Sequence, residues 1–390
     1  MIIISYVLIS LLFLIFLIDW LPQFITWQSR IKMGQFPSEE RWKLLLVATS
    51  MRWLVHTPTI KLTDNKRLIV IDILKGNYKK TAIQHWQQAA LLLGLTQYVK
   101  KTNDEKARKK IDAFVSTIFD SSGNWKIAPK EVDSVILAYA FLQVDWLPQE
   151  KYQPAYDFCY QLILNLKGED GTIAYRKHNP DSRYVDTIGF ICPFLVRYGV
   201  TFKNEEALNL AVQQITTYNQ FGMLHQQFVP CHTYNVTTKL PSGLYGWGRG
   251  LGWYAIGLID AWNAMPEHHQ HKKILTEAVV SFARMALQFQ TVNGSWKWQI
   301  LHNKSQSDSS TTATLAWFLS NAATIPELND TATIARDKAL NYLKSVTRRT
   351  GAIDFSQGDT KGIGVYSQEF DILPFTEGFC LRTINYNLNE

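Results

Sequence analysis

Val132-Asp133-Ser134-Val135-Ile136 recurs 53 residues later as Val185-Asp186-Thr187-Ile188, and each copy opens a run that is apolar nearly all round. A helix apolar on every side has to be buried. Four other stretches share this character: Ala82 to Tyr98, Gly252 to Ala264, Thr311 to Ala323 and Phe375 to Tyr386, with the copies themselves running Val132 to Leu142 and Val185 to Val196. Between them lie amphipathic, more charged stretches: Glu39 to Leu54, Glu105 to Ile118, Tyr152 to Leu166, Glu205 to Tyr218, Lys273 to Phe289 and Thr331 to Val346. Six buried helices alternating with six outer ones predict an inner ring wrapped by an outer ring, an all-α (α/α)6 toroid. The loops entering the inner helices then meet on one face. Asp133, Asp186, Arg249 and the loop around Asp308 are expected at that mouth. An open superhelix of helical hairpins is the alternative, with the same loops strung along a concave surface. The strand-like runs are short, Arg67 to Leu74 among them.

The densest chemistry lies in residues 241–265, Pro-Ser-Gly-Leu-Tyr-Gly-Trp-Gly-Arg-Gly-Leu-Gly-Trp-Tyr-Ala-Ile-Gly-Leu-Ile-Asp-Ala-Trp-Asn-Ala-Met. Gly246, Gly248, Gly250 and Gly252 are expected to let the backbone approach a ligand. Trp247 and Trp253 offer flat faces, and Arg249 offers a planar fork of donors matched to a carboxylate. Those residue types suit a sugar ring carrying a carboxylate; close helix packing is the competing explanation for the same glycines and tryptophans. A phosphate loop is a poor match, since the glycines alternate, no β-branched strand precedes them and no Lys-Ser/Thr pair follows.

The net charge of +7 over 390 residues is spread along the chain rather than gathered into a basic tract. That distribution excludes a nucleic-acid groove and fits an acidic oligosaccharide or polysaccharide partner. Cys159, Cys192, Cys231 and Cys380 are far apart and show no paired metal spacing, so buried free thiols are expected. Cys231-His232 offers two adjacent ligands with no second pair, which makes no metal site. Residues 1–18 carry no charge and are long enough for a spanning helix, with Asp19, Trp20 and Trp27 marking an interfacial exit. Neither a basic n-region nor a small-residue cleavage site is evident. The expected organisation is an N-terminal transmembrane anchor over 1–20, a linker over 21–35 and an (α/α)6 catalytic domain over 36–390. Arg30 and Lys32 follow the anchor and put the domain on the cytoplasmic side, while a surface polysaccharide as substrate fits the periplasm equally.

Asp133 and Asp186 each begin an otherwise apolar helix. Either one can cap free backbone N–H groups. Two carboxylates facing each other in an aromatic-lined, partly desolvated mouth are also the usual equipment for acid/base work on a glycosidic bond, one held protonated while the other stays charged. His225 lies upstream in the polar segment Phe221 to Phe228 and is placed to bond a substrate carboxylate or hydroxyl.

Taken together, the Val185-Asp186-Thr187 helix start, Met223-Leu224-His225 and Trp247-Gly248-Arg249-Gly250-Leu251-Gly252-Trp253-Tyr254 resemble the unsaturated uronyl hydrolases, glycoside hydrolase families 88 and 105. The resemblance covers the helical order from about Thr81 onward, and its specific content sits in these motifs. It implies an (α/α)6 barrel and a hydration reaction: an Asp protonates C4 of a terminal C4=C5 unsaturated uronic acid, water adds at C5, and the hemiketal opens to release the aglycone. Asp186 matches the acid/base and Asp133 the second carboxylate; His225, Arg249 and Trp253 match residues that hold or stack on the substrate. No metal or organic cofactor is implied. Tyr175 stands about where many members carry a His, so either His178 takes that place or the substrate differs. Other readings of the same chain are an (α/α)6 enzyme acting on a saturated glycosidic bond or by elimination, and a non-catalytic, membrane-tethered saccharide-binding protein.

Overall fold

The computed structural model describes residues 2–58, 60, 63–77 and 84–386. Fourteen α-helices are present among them. In chain order these are α1 (Ile2–Ser29), α2 (Glu39–Val55), α3 (Ile69–Leu74), α4 (Gln84–Thr102) and α5 (Glu105–Ile118). There follow α6 (Val135–Leu142), α7 (Gln153–Leu164), α8 (Val185–Phe202), α9 (Glu205–Phe221) and α10 (Gly248–Ala264). The last are α11 (Lys272–Phe289), α12 (Ser309–Ala322), α13 (Asn329–Ser345) and α14 (Pro374–Ile384). The expected start of the first inner helix at Ala82 lies outside the described residues, as do 387–390.

Helices α4, α6, α8, α10, α12 and α14 pack each on the next, and α14 packs back on α4, so the inner ring is closed. Every residue of α6 and of α12 is buried, as a helix surrounded by others requires. Closure at the last seam depends on two glycines: a Cβ on Gly94 would run into the Gly378 carbonyl, and one on Gly378 would run into Ala90. An open superhelix has no such seam. Helices α2, α5, α7, α9, α11 and α13 form the outer layer, and α5 shows how it does so. Asp104 caps its first turn through Lys106 and Ala107, and Ala107, Ile111, Phe114 and Val115 make its one buried stripe.

The connections differ at the two ends of the ring. Links leaving the inner helices are short; those entering α6, α8, α10, α12 and α14 are long and hold all the short strands. Ser182–Tyr184, Thr233–Asn235 and Pro241–Ser242 make a three-stranded antiparallel sheet on this side, and Trp296–Lys297 pairs with Ser307–Asp308. At the opposite end α6, α10, α12 and α14 are joined by a buried ion pair. Arg382 Nη1 donates to Asp260 Oδ2 at 2.6 Å, Trp317 Nε1 donates to Asp260 Oδ1 at 2.8 Å, and Tyr139 meets the guanidinium from α6. All four cysteines are free and buried, and burial pushes their thiols up.

Three sequence expectations change. Arg67 to Leu74 is not a strand: Asp19 of α1 accepts the backbone N–H of Leu68 (2.7 Å) and Ile69 (2.8 Å), which satisfies the free donors at the start of α3. Residues 21–29, expected as a linker, continue α1, and Arg30 then docks on the domain. Its guanidinium forks onto Asp354 at 2.8 and 2.9 Å and also reaches the Phe370 carbonyl, while Arg348 holds the same carboxylate from the other side. The glycines of the central stretch also act differently. Gly246 alone of the four takes a positive φ, +73°. Gly248 and Gly252 instead leave room for Thr311 and Thr314, so α10 lies close against α12. None of the residues of α1 is buried, and by length and composition α1 passes for a membrane span, as a leader sequence also would.

Candidate functional site

A cleft of about 330 Å³ opens on the strand-bearing end of the ring. Its walls come from the starts of α4, α8 and α10 and from four entering loops, with Trp86, Asp133, Tyr175, Asp186, His232 and Arg249 among the lining side chains.

Asp186 stands in the first turn of α8 but does not cap it; Tyr184 occupies the cap position and no side chain bonds there. The Asp186 side chain is 14% exposed and its Oδ2 has no hydrogen-bond partner among the described residues. Burial is the main cause that pushes its carboxyl up to about 7; Arg249 opposes this and Asp359 adds to it. His232 Nε2 is 3.6 Å from Asp186 Oδ2. Burial pulls His232 down to about 4, so this imidazole is neutral near pH 7. Its Nδ1 lies 3.0 Å from the Tyr366 hydroxyl, which also accepts the Leu244 N–H at 2.9 Å.

Asp133 occupies a short 3₁₀ turn, Val132–Ser134, ahead of α6. Arg176 Nη2 donates to its Oδ2 at 2.7 Å, and the Tyr175 hydroxyl reaches the same oxygen at 3.4 Å. The Arg176 guanidinium lies 3.8 Å from the centre of the Tyr175 ring, so the two residues form one stacked unit against Asp133. Burial pushes the Tyr175 phenol well above its ordinary range.

Arg249 is 2% exposed. Its Nη2 donates to the Gln357 and Gly358 carbonyls, which fixes the plane of the guanidinium. Nε and Nη1 have no partner among the described residues. A buried cation with two open donors beside a carboxyl with an open oxygen is costly unless a ligand completes both. The Trp86 ring lies below the guanidinium at 5.7 Å.

Trp247 and Trp253 both line the cleft but are buried in its wall rather than offered as free faces. Trp253 is enclosed by Phe190, Phe375 and Trp86 at 4.3, 4.9 and 5.6 Å between ring centres. Trp247 donates to Gln357 Oε1 at 3.0 Å and lies 4.5 Å from His232. His178 is exposed at the rim.

Two expected site residues lie elsewhere. His225 sits in the exposed turn between the paired strands Met223–Leu224 and Val229–Pro230, and the histidine in the cleft is His232. Asp308 is fully buried and caps α12, accepting Ser310 N at 3.0 Å, Thr311 N at 3.1 Å and Gln357 N at 2.9 Å, so no oxygen is left for a ligand. In the other direction, Asp359, Thr360 and Lys361 line the cleft without having been singled out from sequence. Burial raises the Asp359 carboxyl, with Arg249 opposing. The signal was present in Gly358-Asp359-Thr360-Lys361-Gly362, a polar loop leading to an inner helix, since every such loop ends at the mouth. No group of three or more His, Cys, Asp or Glu side chains able to hold a metal ion occurs among the described residues.

Residues 60–370 match the profile of Glycosyl Hydrolase Family 88. Among solved structures, a possible member of the GH105 family from Salmonella enterica serovar Paratyphi A superposes with a TM-score of 0.75 at 16% identity, covering 91% of this chain and 95% of that one. A possible GH105 member from Klebsiella pneumoniae gives 0.76 at 16% identity, covering 91% and 94%. The unsaturated glucuronyl hydrolase of Bacillus sp. GL1, described as responsible for glycosaminoglycan degradation, gives 0.63 at 15% identity, covering 86% and 93%. At such identities the superpositions speak to the fold, and the profile match over most of the chain speaks to kinship. The chain belongs to glycosyl hydrolase family 88 and is a glycoside hydrolase.

Proposed function

We propose that the protein hydrolyses oligosaccharides ending in a C4=C5 unsaturated uronic acid, by hydrating the double bond. The observation that carries this reading is the pairing of an open Asp186 carboxyl, pushed up to about 7, with the open Nε and Nη1 donors of Arg249 in one cleft. A substrate carboxylate fits the Arg249 fork. Asp186, still protonated near neutral pH, gives its proton to C4, and positive charge develops at C5 and the ring oxygen. Water adds at C5 and its surplus proton returns to the Asp186 carboxylate, so the acid is regenerated. The hemiketal at C5 opens to a ketone, and the aglycone leaves from C1 as an alcohol. Asp133, ion-paired to Arg176, serves as the second carboxylate, and the neutral His232 is a positioning residue for Asp186. With the Tyr366 hydroxyl donating to Nδ1, His232 presents Nε2–H to Asp186. Trp253 and Trp247 set the cleft wall, and Tyr175 with His178 borders the uronyl subsite.

The membrane reading of α1 belongs to the same proposal: the helix is retained as an anchor that keeps the domain at a membrane carrying acidic polysaccharide. Support comes from Asp19 and Arg30, which are engaged with the domain rather than left at the end of a free leader. A panel of unsaturated uronyl disaccharides tests the activity, read as loss of the ultraviolet absorbance of the conjugated carboxylate. Decay with the wild-type protein and none with Asp186→Asn is expected. Absence of decay on every member, with the protein folded and binding acidic oligosaccharide, would move the assignment to a saturated bond, an elimination or a binding role.

A further inference from the structure

Helix α3 is six residues long, yet Leu68, Ile71, Ile73 and Leu74 all face outward, and Leu74 is 83% exposed. Only Ile69 and Asp72 of the helix are buried. Four outward aliphatics on one short element exceed what scattered surface apolar residues amount to. The position of α3 narrows what covers them. Asp19 is the first charge of α1 and accepts both N–H groups at the start of α3, and Gln23 Nε2 reaches the Lys66 carbonyl at 3.3 Å. The patch is therefore tied to the point where the uncharged part of α1 ends. Phe16, Trp20 and Phe24 stack in sequence along α1 through the same level, with Trp27 tilted against Phe24, a placement typical of an interfacial aromatic belt. Lys66 and Arg67 precede the helix and Lys75 follows it, all exposed, as suits a surface meeting anionic headgroups.

We propose that α3 is a second membrane-contacting element, lying in the headgroup region beside α1, and that it holds the mouth of the ring at the bilayer surface. The occupant of the apolar patch is lipid, by continuity with α1 and by the flanking cations; this rests on the anchor reading of α1. The link to the cleft is direct. Asp64, just before α3, accepts from Ser367 Oγ at 2.6 Å and pairs with Lys361 at 3.6 Å, and Lys66 pairs with Glu369 at 2.5 Å. Lys361 lines the cleft. A saccharide emerging at the membrane surface then meets the cleft without leaving that surface.

The test uses the full chain in vesicles of phosphatidylcholine and phosphatidylglycerol. Because the native cysteines are buried, a single introduced thiol takes an environment-sensitive fluorophore. Leu74→Cys reports on α3, and Ile274→Cys, at the start of α11 on the opposite end of the ring, is the control. The expected result is blue-shifted emission at 74, quenched by lipids spin-labelled near the headgroup, with neither effect at 274. Adding Asp19→Ala should weaken quenching at 74 while the chain still floats with the vesicles. Water-like emission at 74 in a floating chain overturns the proposal. So does a blue shift that spin-labelled lipid leaves unquenched and that grows with protein-to-lipid ratio, since a second copy then covers the patch. Unchanged quenching in Asp19→Ala overturns the tether assigned to Asp19. A chain that does not float removes the anchor reading and this proposal with it. Turnover on soluble disaccharides is read separately and is untouched by these outcomes.

Discussion

The starts of α8 and α12 carry the same residue type to opposite ends. Both helices belong to the inner ring, and both have an aspartate where a long loop turns into a helix. Asp308 turns back on its own helix, accepts two backbone N–H groups and one from Gln357, and is closed to solvent. Asp186 sits one position inside its helix, leaves the cap to Tyr184, and keeps an oxygen unpartnered in the cleft. Two residues of offset from the cap position thus separate a capping carboxylate from one left open in the cleft, the one proposed as the acid. Capping consumes the lone pairs that catalysis needs, so an aspartate at a helix start serves one purpose or the other.

The comparison breaks most visibly in activity. Asp186→Asn should lower kcat/KM on an unsaturated uronyl disaccharide by about 10²- to 10⁴-fold with little change in product affinity, because the proton donor is lost and the shape is kept. Asp308→Asn should leave kcat near wild type when assayed on the folded fraction. Next in size is Arg249→Lys, which keeps the charge but loses the planar fork; a rise in KM giving about a tenfold to hundredfold loss in kcat/KM is expected from steady-state kinetics.

Stability should sort the two aspartates the other way. Asp308→Ala removes the cap and strands the hydroxyls and N–H groups around it, so its urea midpoint should fall by the equivalent of about 2 kcal/mol or more. Asp186→Asn should raise the midpoint at pH 8. The carboxyl is pushed up from 3.8 to about 7 in the folded protein, so between those values the unfolded chain binds fewer protons and stability falls as pH rises. Removing the ionisable group returns that loss, on the order of a few kcal/mol at most above pH 7. A midpoint lower than wild type at pH 8 would contradict the burial assigned to Asp186.

The smallest effect concerns the environment of the acid. With Asp186 as the proposed acid, kcat/KM should decline on the alkaline side with an apparent pKa near 7. Asp359 adds to the upward push on Asp186, so Asp359→Asn should move that limb to lower pH, by a fraction of a unit in a pH–rate profile. A shift to higher pH would mean that Asp359 bonds Asp186 rather than repelling it.

The ring was legible because burial on all sides leaves a pattern: Val135–Leu142 has no polar side chain other than the Tyr139 hydroxyl, and such a segment has nowhere to go but the middle of a helical assembly. The placement of Asp133, Asp186 and Arg249 at the mouth was legible for a related reason, since a charge at the mouth-side end of a buried helix has to be satisfied or used. The histidine was not. His225 and His232 are seven residues apart, one in the turn between a pair of two-residue strands and the other just after the second strand, and only the pairing of Met223 with Pro230 decides which one turns out into solvent. Asp359 was missed because a glycine-rich polar loop looks like a solvated turn until Arg249 is seen holding its Gln357 and Gly358 carbonyls. For the glycines of 246–252 two purposes stood open, ligand approach and close helix packing, and Gly248 and Gly252 follow the second, in the contact between α10 and α12. The extent of α1 was hidden too, since Pro22 and the polar residues after it suggest a break, yet the helix continues to Ser29.

The seam between α4 and α14 bears on how the molecule is made. Gly94 and Gly378, which meet there, are among the first and last residues of the ring to be synthesised. Until the final helix is released, the apolar face of α4 around Ala89 to Leu95 has no partner from that side, and the barrel remains an open arc with two unsatisfied edges. Such an arc is a sticky intermediate, and its lifetime is set by elongation rather than by chain diffusion. Loss of α14, Pro374–Ile384, would therefore leave the ring permanently in that unfinished state, with α4 as the surface through which it aggregates.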